Sequence, residues 1–430
     1  MRRNYAIISI ILVGVLVVPF LGVSVSAQET VNFAIMNDPF VDAMGPLVEE
    51  FEEETGINVV LDILPYSSLR EQAITDFSTG MGEYDIYAMD IVWTGEWAEA
   101  GFITPIDEFI EDRDEINWGD LLPGAKEGLM LWEDQIVAMP LGSYHFATMY
   151  RKDWFEEKEL EVPVTMEDYR EVLPKLTEPE KGRYGISVPY VRGAPITHYS
   201  LAVVSGLGQS LLANPPHNYS PQIDAPISVA AFTLYKDFLD WGPPGMRDFD
   251  WHDNRAEFIQ GNAAMATNWT SGLARVEAED AESAGNTGYT YLPRLSRNNE
   301  PTVPFGGWSM VINDDSTQKE AAFEFMKWFV SEEVQKEYAR LGGTPNTLSA
   351  ISDPKLQERF PFYEWVEEVE SNGYADPQVR PRYPFWPKME EILGSRLSQI
   401  MVKDAPVRET LRQANLEIEE VIKEAEYPVE

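Results

Sequence analysis

The stretch VNFAIMNDPFVDAMGPLVEEFEEETGINVVLDIL, residues 31–64, decides the fold. Its two ends, Val31–Met36 and Ile57–Leu64, are apolar runs of strand length, and the residues between them repeat apolar side chains at helical spacing. Gly56 stands just past that helix, where a left-handed residue commonly ends one. After a second helical stretch, Tyr84–Met89 has the pattern of a third strand. This β-α-β-α-β order predicts a parallel sheet with right-handed crossovers.

Polar and aromatic side chains follow each of these predicted strands. Asn37 and Asp38 come after the first strand, Tyr66 after the second, and Asp90 and Trp93 after the third. Ligands of such sheets bind beyond the carboxyl ends of the strands, which lie along one edge. The sequence therefore predicts that these five residues form part of a ligand site.

A second alternating region extends over the rest of the chain. Phe146–Tyr150, Tyr184–Val188 and Trp308–Ile312 have strand patterns, and a helix is predicted over Thr165–Leu176, opened by a Thr and an Asp three residues apart. No linker rich in Pro, Gly or Ser separates the two regions. A second domain must therefore be reached by several crossings of the chain.

The first 27 residues have the pattern of a secretory signal. Arg2 and Arg3 precede the apolar run Tyr5–Val23, and Val25-Ser26-Ala27 offers small residues for cleavage before Gln28. The run has nearly the length of a spanning helix, so an uncleaved N-terminal anchor is the alternative. Either way, we expect the body of the protein to work outside the cytoplasmic membrane, in the periplasm or the extracellular space.

Composition excludes several classes of protein. The 430 residues include 72 acidic and 33 basic side chains, which gives a formal net charge of −39. A surface this negative repels phosphate backbones, so nucleic-acid binding is not expected. There is no Cys, which excludes disulfides, Cys-based metal sites, thiol nucleophiles and a thioether-linked lipid anchor.

Five groups of motifs, in the same order along the chain, resemble the extracellular solute-binding proteins of ABC importers, in their maltose-binding-like carbohydrate group. The matching segments are Asp85–Asp107, Pro140–Phe155, Pro163–Tyr169, Phe258–Trp269, and Pro304–Asn313 with Ala321–Pro345. Met166 stands where the family usually has Trp. The segment GPPGMRDFDW, residues 242–251, is similar to the sugar and polyol branch.

The resemblance implies an α/β, two-lobed periplasmic-binding-protein fold of type II, in which each lobe is a mainly parallel sheet flanked by helices. It implies three hinge crossings, near Ser143, Thr267 and Asp314. After the signal peptide at 1–27, the N-lobe would comprise 28–143 and 268–313, and the C-lobe 144–267 and 314–430. The two lobes would close on a ligand, and the loaded protein would meet the permease subunits of an importer.

A sugar or polyol site needs aromatic planes for C–H faces and polar forks for vicinal hydroxyls. Such groups recur at the predicted hinges, in the C-lobe and in the second segment of the N-lobe. The candidates at the hinges are Tyr144, Asn268 and Trp269, and those after the strand at 184–188 are Tyr190 and Arg192. Gly307 lies just before the strand at 308–312, and Trp308 begins it. Arg382 belongs to the segment RPRYPFW at 380–386.

Several candidates also have a purely structural interpretation. Asp38 and Asp90 can cap helices, Trp308 can be a core residue, and Arg382 can pair with one of the many carboxylates. His145 beside Tyr144 is more typical of a satisfied polar group than of a ligand residue.

The leading hypothesis is a monomeric binding protein for a carbohydrate or polyol, without catalytic residues, cofactor or metal. A secreted glycoside hydrolase is one alternative, since it also uses carboxylates across a sugar cleft. The other alternative keeps the fold but binds ferric iron through tyrosines, for which Tyr144-His145 is the only hint, or another small solute.

Overall fold

The computed structural model describes residues 28–110 and 116–430, so the predicted signal segment lies outside the described residues. The strands are β1 (Thr30–Met36), β2 (Asn58–Leu64), β3 (Ile86–Asp90), β4 (Ile103–Thr104), β5 (Leu131–Trp132), β6 (Gln135–Ile136), β7 (Met139–Arg151), β8 (Leu212–Asn214), β9 (Asn218–Pro221), β10 (Met265–Trp269), β11 (Thr287–Thr290), β12 (Val303–Asn313) and β13 (Ala375–Asp376).

The helices are α1 (Val41–Thr55), α2 (Tyr66–Thr79), α3 (Thr94–Glu99), α4 (Pro123–Ala125), α5 (Lys152–Glu157), α6 (Met166–Leu176), α7 (Ala194–Gly206), α8 (Pro226–Asp237), α9 (Trp251–Ile259), α10 (Lys319–Phe329), α11 (Glu332–Arg340), α12 (Leu348–Ile351), α13 (Pro354–Arg359), α14 (Phe362–Ser371), α15 (Trp386–Met401) and α16 (Val407–Glu424). Within the described ranges, none of them combines the length and the apolar content that a bilayer crossing requires.

The N-terminal lobe is built on the parallel sheet that the opening stretch predicts. β1 pairs in parallel with β2 on one side, Val31 opposite Val59, and with β3 on the other, Phe33 opposite Ile86. All five residues of β3 are buried, because helices cover both faces of the sheet. Gly56 ends α1 with a φ of 78°, in the left-handed conformation expected there.

Two long antiparallel strands, β7 and β12, carry the chain between the lobes. They pair from Met139 opposite Met310 to His145 opposite Phe305. β12 also pairs with β3 in the N-lobe, while the second half of β7 pairs with β10 and β11 in the C-lobe. The sequence predicted only one end of each strand. Both strands are longer than predicted. Nearly all of their residues are buried, because each strand runs from one lobe into the other.

A glycine allows β7 and β12 to approach each other at the hinge. Gly307 has a φ of 133°, and a Cβ atom there would lie 2.1 Å from the carbonyl oxygen of Gly142. The register of the two strands shifts immediately afterwards, between Trp308 and Ser309. A larger residue at Gly307 would therefore force the strands apart beside the cleft.

The lobe boundaries differ from the predicted division in two places. The segment directly after Asp314 does not enter the C-lobe, because the apolar face of α10 covers the N-lobe sheet. The ring centroid of Phe325 in α10 lies 6.2 Å from that of Phe33 in β1 and 5.1 Å from that of Phe51 in α1. Conversely β11, within the predicted N-lobe segment 268–313, pairs with the C-lobe half of β7. The helix that follows Asp314 therefore packs on the N-lobe sheet, and β11 pairs on the C-lobe side of β7.

Of two local predictions in the C-lobe, a helix cap and a strand, the structure bears out the first. The capping pair of α6 is confirmed, because the Thr165 side chain accepts a hydrogen bond from the backbone N–H of Asp168 while the Asp168 carboxylate accepts one from that of Thr165. The strand predicted at Tyr184–Val188 is wrong. Only isolated pairings link it to the chain at Ala263 and Ala266.

Candidate binding cleft

A cavity lies between the two lobes, beyond the carboxyl ends of β1 and β3. Its volume, traced by the centre of a water-sized sphere, is about 60 Å³. Both lobes contribute to its wall, which is formed by Met36, Asp38, Pro39, Tyr66, Asp90, Tyr144, His198, Trp251, His252, Arg255, Asn268, Trp269, Ser271, Gly307, Trp308 and Arg380.

A buried ion pair forms the inner end of the cavity. The Oδ2 atom of Asp90, the last residue of β3, accepts hydrogen bonds from Arg380 Nη2 at 2.8 Å and from the Tyr66 hydroxyl at 3.0 Å. The side chains of Asp90 and Arg380 are each only 5% exposed. Burial, and then the Asp90 carboxylate, raises the pKa of Tyr66, which therefore remains a neutral hydrogen-bond donor.

Four polar atoms on the cavity-lining side chains have no hydrogen-bond partner among the described residues. Two are Asp90 Oδ1 and Arg380 Nε, on the ion pair itself, and the others are His198 Nδ1 and Trp251 Nε1. A buried polar group without a partner costs on the order of 1–3 kcal/mol. The Arg380 and Trp251 nitrogens are donors and the Asp90 oxygen is an acceptor, while the role of His198 Nδ1 depends on the tautomer of the ring. Vicinal hydroxyl groups can satisfy such a mixed set.

A second carboxylate, Asp38, lies nearer the mouth of the cavity. It follows β1, and its Oδ1 accepts a hydrogen bond from the Tyr144 hydroxyl at 3.0 Å. Burial raises the pKa of Asp38 to about 7, although Tyr144 and the charge of Arg255 favour the ionised form. The proton occupancy of Asp38 is therefore sensitive to how deeply the closed cleft buries it.

Aromatic rings form the apolar faces of the cavity. Trp308 meets Tyr66 edge to face with ring centroids 6.0 Å apart. On the C-lobe side, the His198 ring stacks on Trp251 at 5.6 Å. The Arg380 guanidinium lies 5.5 Å from the ring centroid of Trp269, within cation–π range, so the same wall supplies charge and a flat surface.

The comparisons with known proteins agree with this geometry. A family model described as "Bacterial extracellular solute-binding protein" matches residues 34–336, more than half of the chain. The chain belongs to this family. The family resemblance predicted from the motifs is thereby confirmed.

Two solved structures and one curated protein show how similar the relatives are to this solute-binding protein. A ribitol complex from Agrobacterium radiobacter K84 has a TM-score of 0.85 and 30% identity, covering 91% of this chain and 98% of its own. A D-mannitol complex from Agrobacterium vitis S4 has a TM-score of 0.81 and 25% identity, covering 93% and 100%. The mannitol-binding protein of Pseudomonas aeruginosa is 26% identical over 324 residues, 74% of this chain and 72% of its own. The predicted two-lobed α/β fold is confirmed.

Eight of the thirteen predicted site residues lie in the cavity wall of this solute-binding protein; their contact with a ligand remains a prediction. They are Asp38, Tyr66, Asp90, Tyr144, Asn268, Trp269, Gly307 and Trp308. Asn268 also has a structural task, because its side-chain amide donates to the Trp251 carbonyl at 2.7 Å and its Oδ1 accepts from the Trp269 N–H.

The other five predicted residues lie outside the cavity wall. Asn37 is exposed at the mouth of the cleft, and Arg192 is exposed before α7. Trp93 is buried in the N-lobe, 5.2 Å from Trp97. The Tyr190 ring stacks on Tyr235 at 4.5 Å inside the C-lobe core.

Arg382 is the fifth residue, and its surroundings explain its absence from the site. Its Nη1 atom donates to the backbone carbonyls of Glu127 and Gly128 at 3.0 Å and of Leu131 at 2.9 Å. Arg382 therefore holds its segment against the N-lobe. The other arginine of the same segment, Arg380, reaches the cavity instead.

Sequence reasoning missed six polar or aromatic residues of the wall. They are His198, Trp251, His252, Arg255, Ser271 and Arg380. Two of these residues lie in segments that carry a signal. Arg380 belongs to RPRYPFW, in which Arg alternates with Pro and aromatic residues, and Trp251 ends GPPGMRDFDW, which resembles the sugar and polyol branch. His198 carried no signal, because it is one polar residue within the otherwise mainly apolar helix α7.

Proposed function

We propose that this solute-binding protein captures a polyol, or a sugar of monosaccharide size, between its lobes and delivers it to the permease subunits of an ABC importer. The observation that carries the proposal is the inner end of the cavity. There, the Asp90–Arg380 ion pair keeps one acceptor and one donor, Oδ1 and Nε, without a protein partner among the described residues. Adjacent hydroxyls of one solute molecule can fill both positions.

The cavity volume limits the size of the solute. The closed cavity leaves about 60 Å³ to the centre of a water-sized sphere, which is room for a small cluster of waters. A linear polyol or a monosaccharide has this bulk, whereas an oligosaccharide needs more space. The ribitol and D-mannitol of the two similar structures agree with this estimate.

Binding is coupled to closure because the two lobes supply different parts of the site. Asp90 and Tyr66 belong to the N-lobe, whereas His198 and Trp251 belong to the C-lobe. A solute contacts both sets only in the closed arrangement, so it stabilises that arrangement. We infer that the protein is exported before it binds its solute and that the segment 1–27 is removed. We also infer that it acts as a monomer in the periplasm or outside the cell.

The two alternative functions receive less support from the geometry. A glycoside hydrolase needs two carboxylates across the scissile bond, whereas the Asp90 carboxylate is paired with the Arg380 guanidinium, an arrangement suited to holding hydroxyl groups. Iron binding through Tyr144 and His145 needs both side chains in the cleft. His145 instead hydrogen-bonds Glu370 through Nε2 at 2.7 Å, away from the cavity wall. We therefore propose binding without catalysis.

A thermal-shift panel followed by calorimetry tests the proposal. The exported protein is incubated with ribitol, D-mannitol, maltotriose, inorganic phosphate and ferric citrate. We expect one-to-one binding of ribitol or D-mannitol, with no chemical change in it. At one hundred times Kd, the free energy of unfolding should rise by about 2.7 kcal/mol. Stabilisation by ferric iron alone, or consumption of a sugar, would contradict the proposal.

A further inference from the structure

One ring nitrogen of His198 lies within hydrogen-bond distance of two side chains, a carboxylate that needs a donor and a guanidinium that needs an acceptor. His198 Nε2 lies 2.9 Å from Glu390 Oε1 and 3.1 Å from Arg380 Nη2. The side chains of His198 and Glu390 are 3% and 15% exposed. A nitrogen of a neutral imidazole either carries a proton and donates, or has a lone pair and accepts. It cannot satisfy the carboxylate and the guanidinium together.

The position of Glu390 is fixed by the packing of α15 on α7. Gly394 stands one turn after Glu390, and a Cβ atom there would lie 3.1 Å from the Thr197 hydroxyl oxygen and 3.4 Å from the Gly193 nitrogen. The two helices therefore approach closely next to His198. Glu390 does not line the cavity, and its hydrogen bond to the cavity wall is made to His198.

The energies of the two arrangements differ. If Nε2 accepts from Arg380, the Glu390 carboxylate faces a nitrogen lone pair at 2.9 Å in a buried site. If Nε2–H donates to Glu390, it forms a charge-assisted hydrogen bond, and Arg380 Nη2 keeps its bond to Asp90 at 2.8 Å. The doubly protonated ring is disfavoured, because burial and then the charge of Arg380 lower the pKa of His198. The neutral tautomer with the proton on Nε2 is therefore the most stable.

We propose that Glu390 is a positioning residue that fixes His198 in the Nε2–H tautomer, so that the bare Nδ1 accepts a hydrogen bond from a hydroxyl of the solute. Nδ1 is buried without a partner among the described residues, and its ring lies between Trp251 and Trp269 of the cavity wall. The site then favours a solute with a hydroxyl donor at this point over its deoxy or O-methyl analogue. This inference deepens the proposed function and rests on it for the nature of the solute.

Nitrogen-15 NMR of the imidazole side chains tests the tautomer in the protein without solute. The chain has only four histidines, and loss of one signal in His198→Asn assigns the residue. We expect wild-type His198 at pH 8 to show a protonated Nε2 and an unprotonated Nδ1. In Glu390→Gln the lone-pair repulsion is gone and Arg380 can donate to Nε2, so the pattern should reverse. A protonated Nδ1 in the wild type would overturn the proposal, even if the variant failed to fold.

Glu391→Gln is the matched control. Glu391 follows Glu390 on α15, but its side chain is 61% exposed and pairs with Lys388 at 2.8 Å. The Glu391→Gln substitution removes the same charge from the same helix, and the His198 signals should remain as in the wild type. An unchanged His198 pattern in Glu390→Gln, or an equal change in both variants, would contradict the positioning role.

Calorimetry with ribitol and D-mannitol gives the functional readout. Glu390→Gln should weaken the binding of the better solute about tenfold, the equivalent of about 1.4 kcal/mol, while Glu391→Gln keeps the wild-type affinity. An unaltered affinity in Glu390→Gln would overturn the role of Nδ1 as an acceptor. If neither compound bound to the wild type, the solute class of the proposed function would fail, whereas the NMR result would still decide the tautomer.

Discussion

The cleft holds one carboxylate at its inner end and one nearer its mouth, in opposite electrostatic settings. Asp90 is paired with Arg380 and hydrogen-bonded by Tyr66, so its charge is compensated inside the protein. Asp38 has no ion pair among the described residues, and burial raises its pKa to about 7. Burial alone therefore does not define a carboxylate's role. The neighbour decides whether it acts as a fixed acceptor or as a group that exchanges its proton.

The largest expected effect comes from breaking the inner pair. Arg380→Met leaves the Asp90 charge buried without its cation in the closed form, a change that typically costs about 3–5 kcal/mol. We expect solute affinity to fall at least a hundredfold, measured by calorimetry with the best solute of the panel.

Arg382→Met is the matched control for this variant, since both arginines belong to one segment. Among the described residues, the Arg382 side chain donates to backbone carbonyls away from the cavity. Its loss should lower the melting temperature but change affinity by less than about threefold, because a ligand contact is not removed. Equal losses of affinity in the two variants would contradict the assignment of the inner end to Arg380.

A smaller effect is expected from the aromatic surface against Arg380. Trp269→Leu removes the ring that lies 5.5 Å from the guanidinium and the flat face offered to the solute. Loss of such a buried contact costs on the order of 2 kcal/mol, or about 30-fold in Kd. Trp328→Leu, on the far side of the N-lobe where the indole bonds Glu54, should leave Kd unchanged. A Trp269 variant with wild-type affinity would remove this ring from the site.

Asp38, unlike Asp90, should make the stability of the protein depend on pH near neutrality. Its pKa in the folded protein is raised from 3.8 to about 7, so the folded state holds the proton more tightly than the unfolded state. The free energy of unfolding should therefore fall as the pH rises from about 4 to 7, and this contribution should be lost above pH 7. Asp38→Asn should remove that part of the fall. Urea titrations from pH 4 to 8 that give parallel curves for the two proteins would contradict it.

The smallest effect is expected at the mouth of the cleft. Arg275 Nη2 lies 3.4 Å from Asp42 Oδ2, and both side chains are well exposed, at 67% and 76%. Exposed pairs contribute about 0–1 kcal/mol, so Arg275→Gln should weaken solute binding by less than about fivefold. The difference should vanish in 1 M NaCl, where charges are screened within about 3 Å. A difference that survived high salt would show another role for Arg275.

The two walls of the cleft also differ in how much could be predicted from the sequence. The N-lobe wall is made of strand ends, so the alternating pattern placed Asp38 and Asp90 correctly in the cavity wall. The C-lobe wall comes from helix α7, the start of α9 and the segment before α15. There a side chain such as His198 is selected by the packing of helices distant in sequence, which periodicity does not report.

The choice between Arg380 and Arg382 illustrates the same limit. The two residues share composition and neighbours in sequence, and only the path of the segment sends one to the cavity and the other to the N-lobe carbonyls. The lobe boundaries failed for a related reason. The apolar face of α10 fits either lobe by pattern, and only its contact with Phe33 shows which sheet it covers.

Isothermal titration of the wild-type protein with ribitol, D-mannitol and maltotriose, repeated with Arg380→Met, tests most directly whether the cleft is a polyol site built on Arg380. We expect one-to-one binding of a polyol, a weaker response to the trisaccharide, and loss of polyol binding in the variant. Preferential binding of maltotriose, or polyol binding that survives the loss of Arg380, would contradict that expectation.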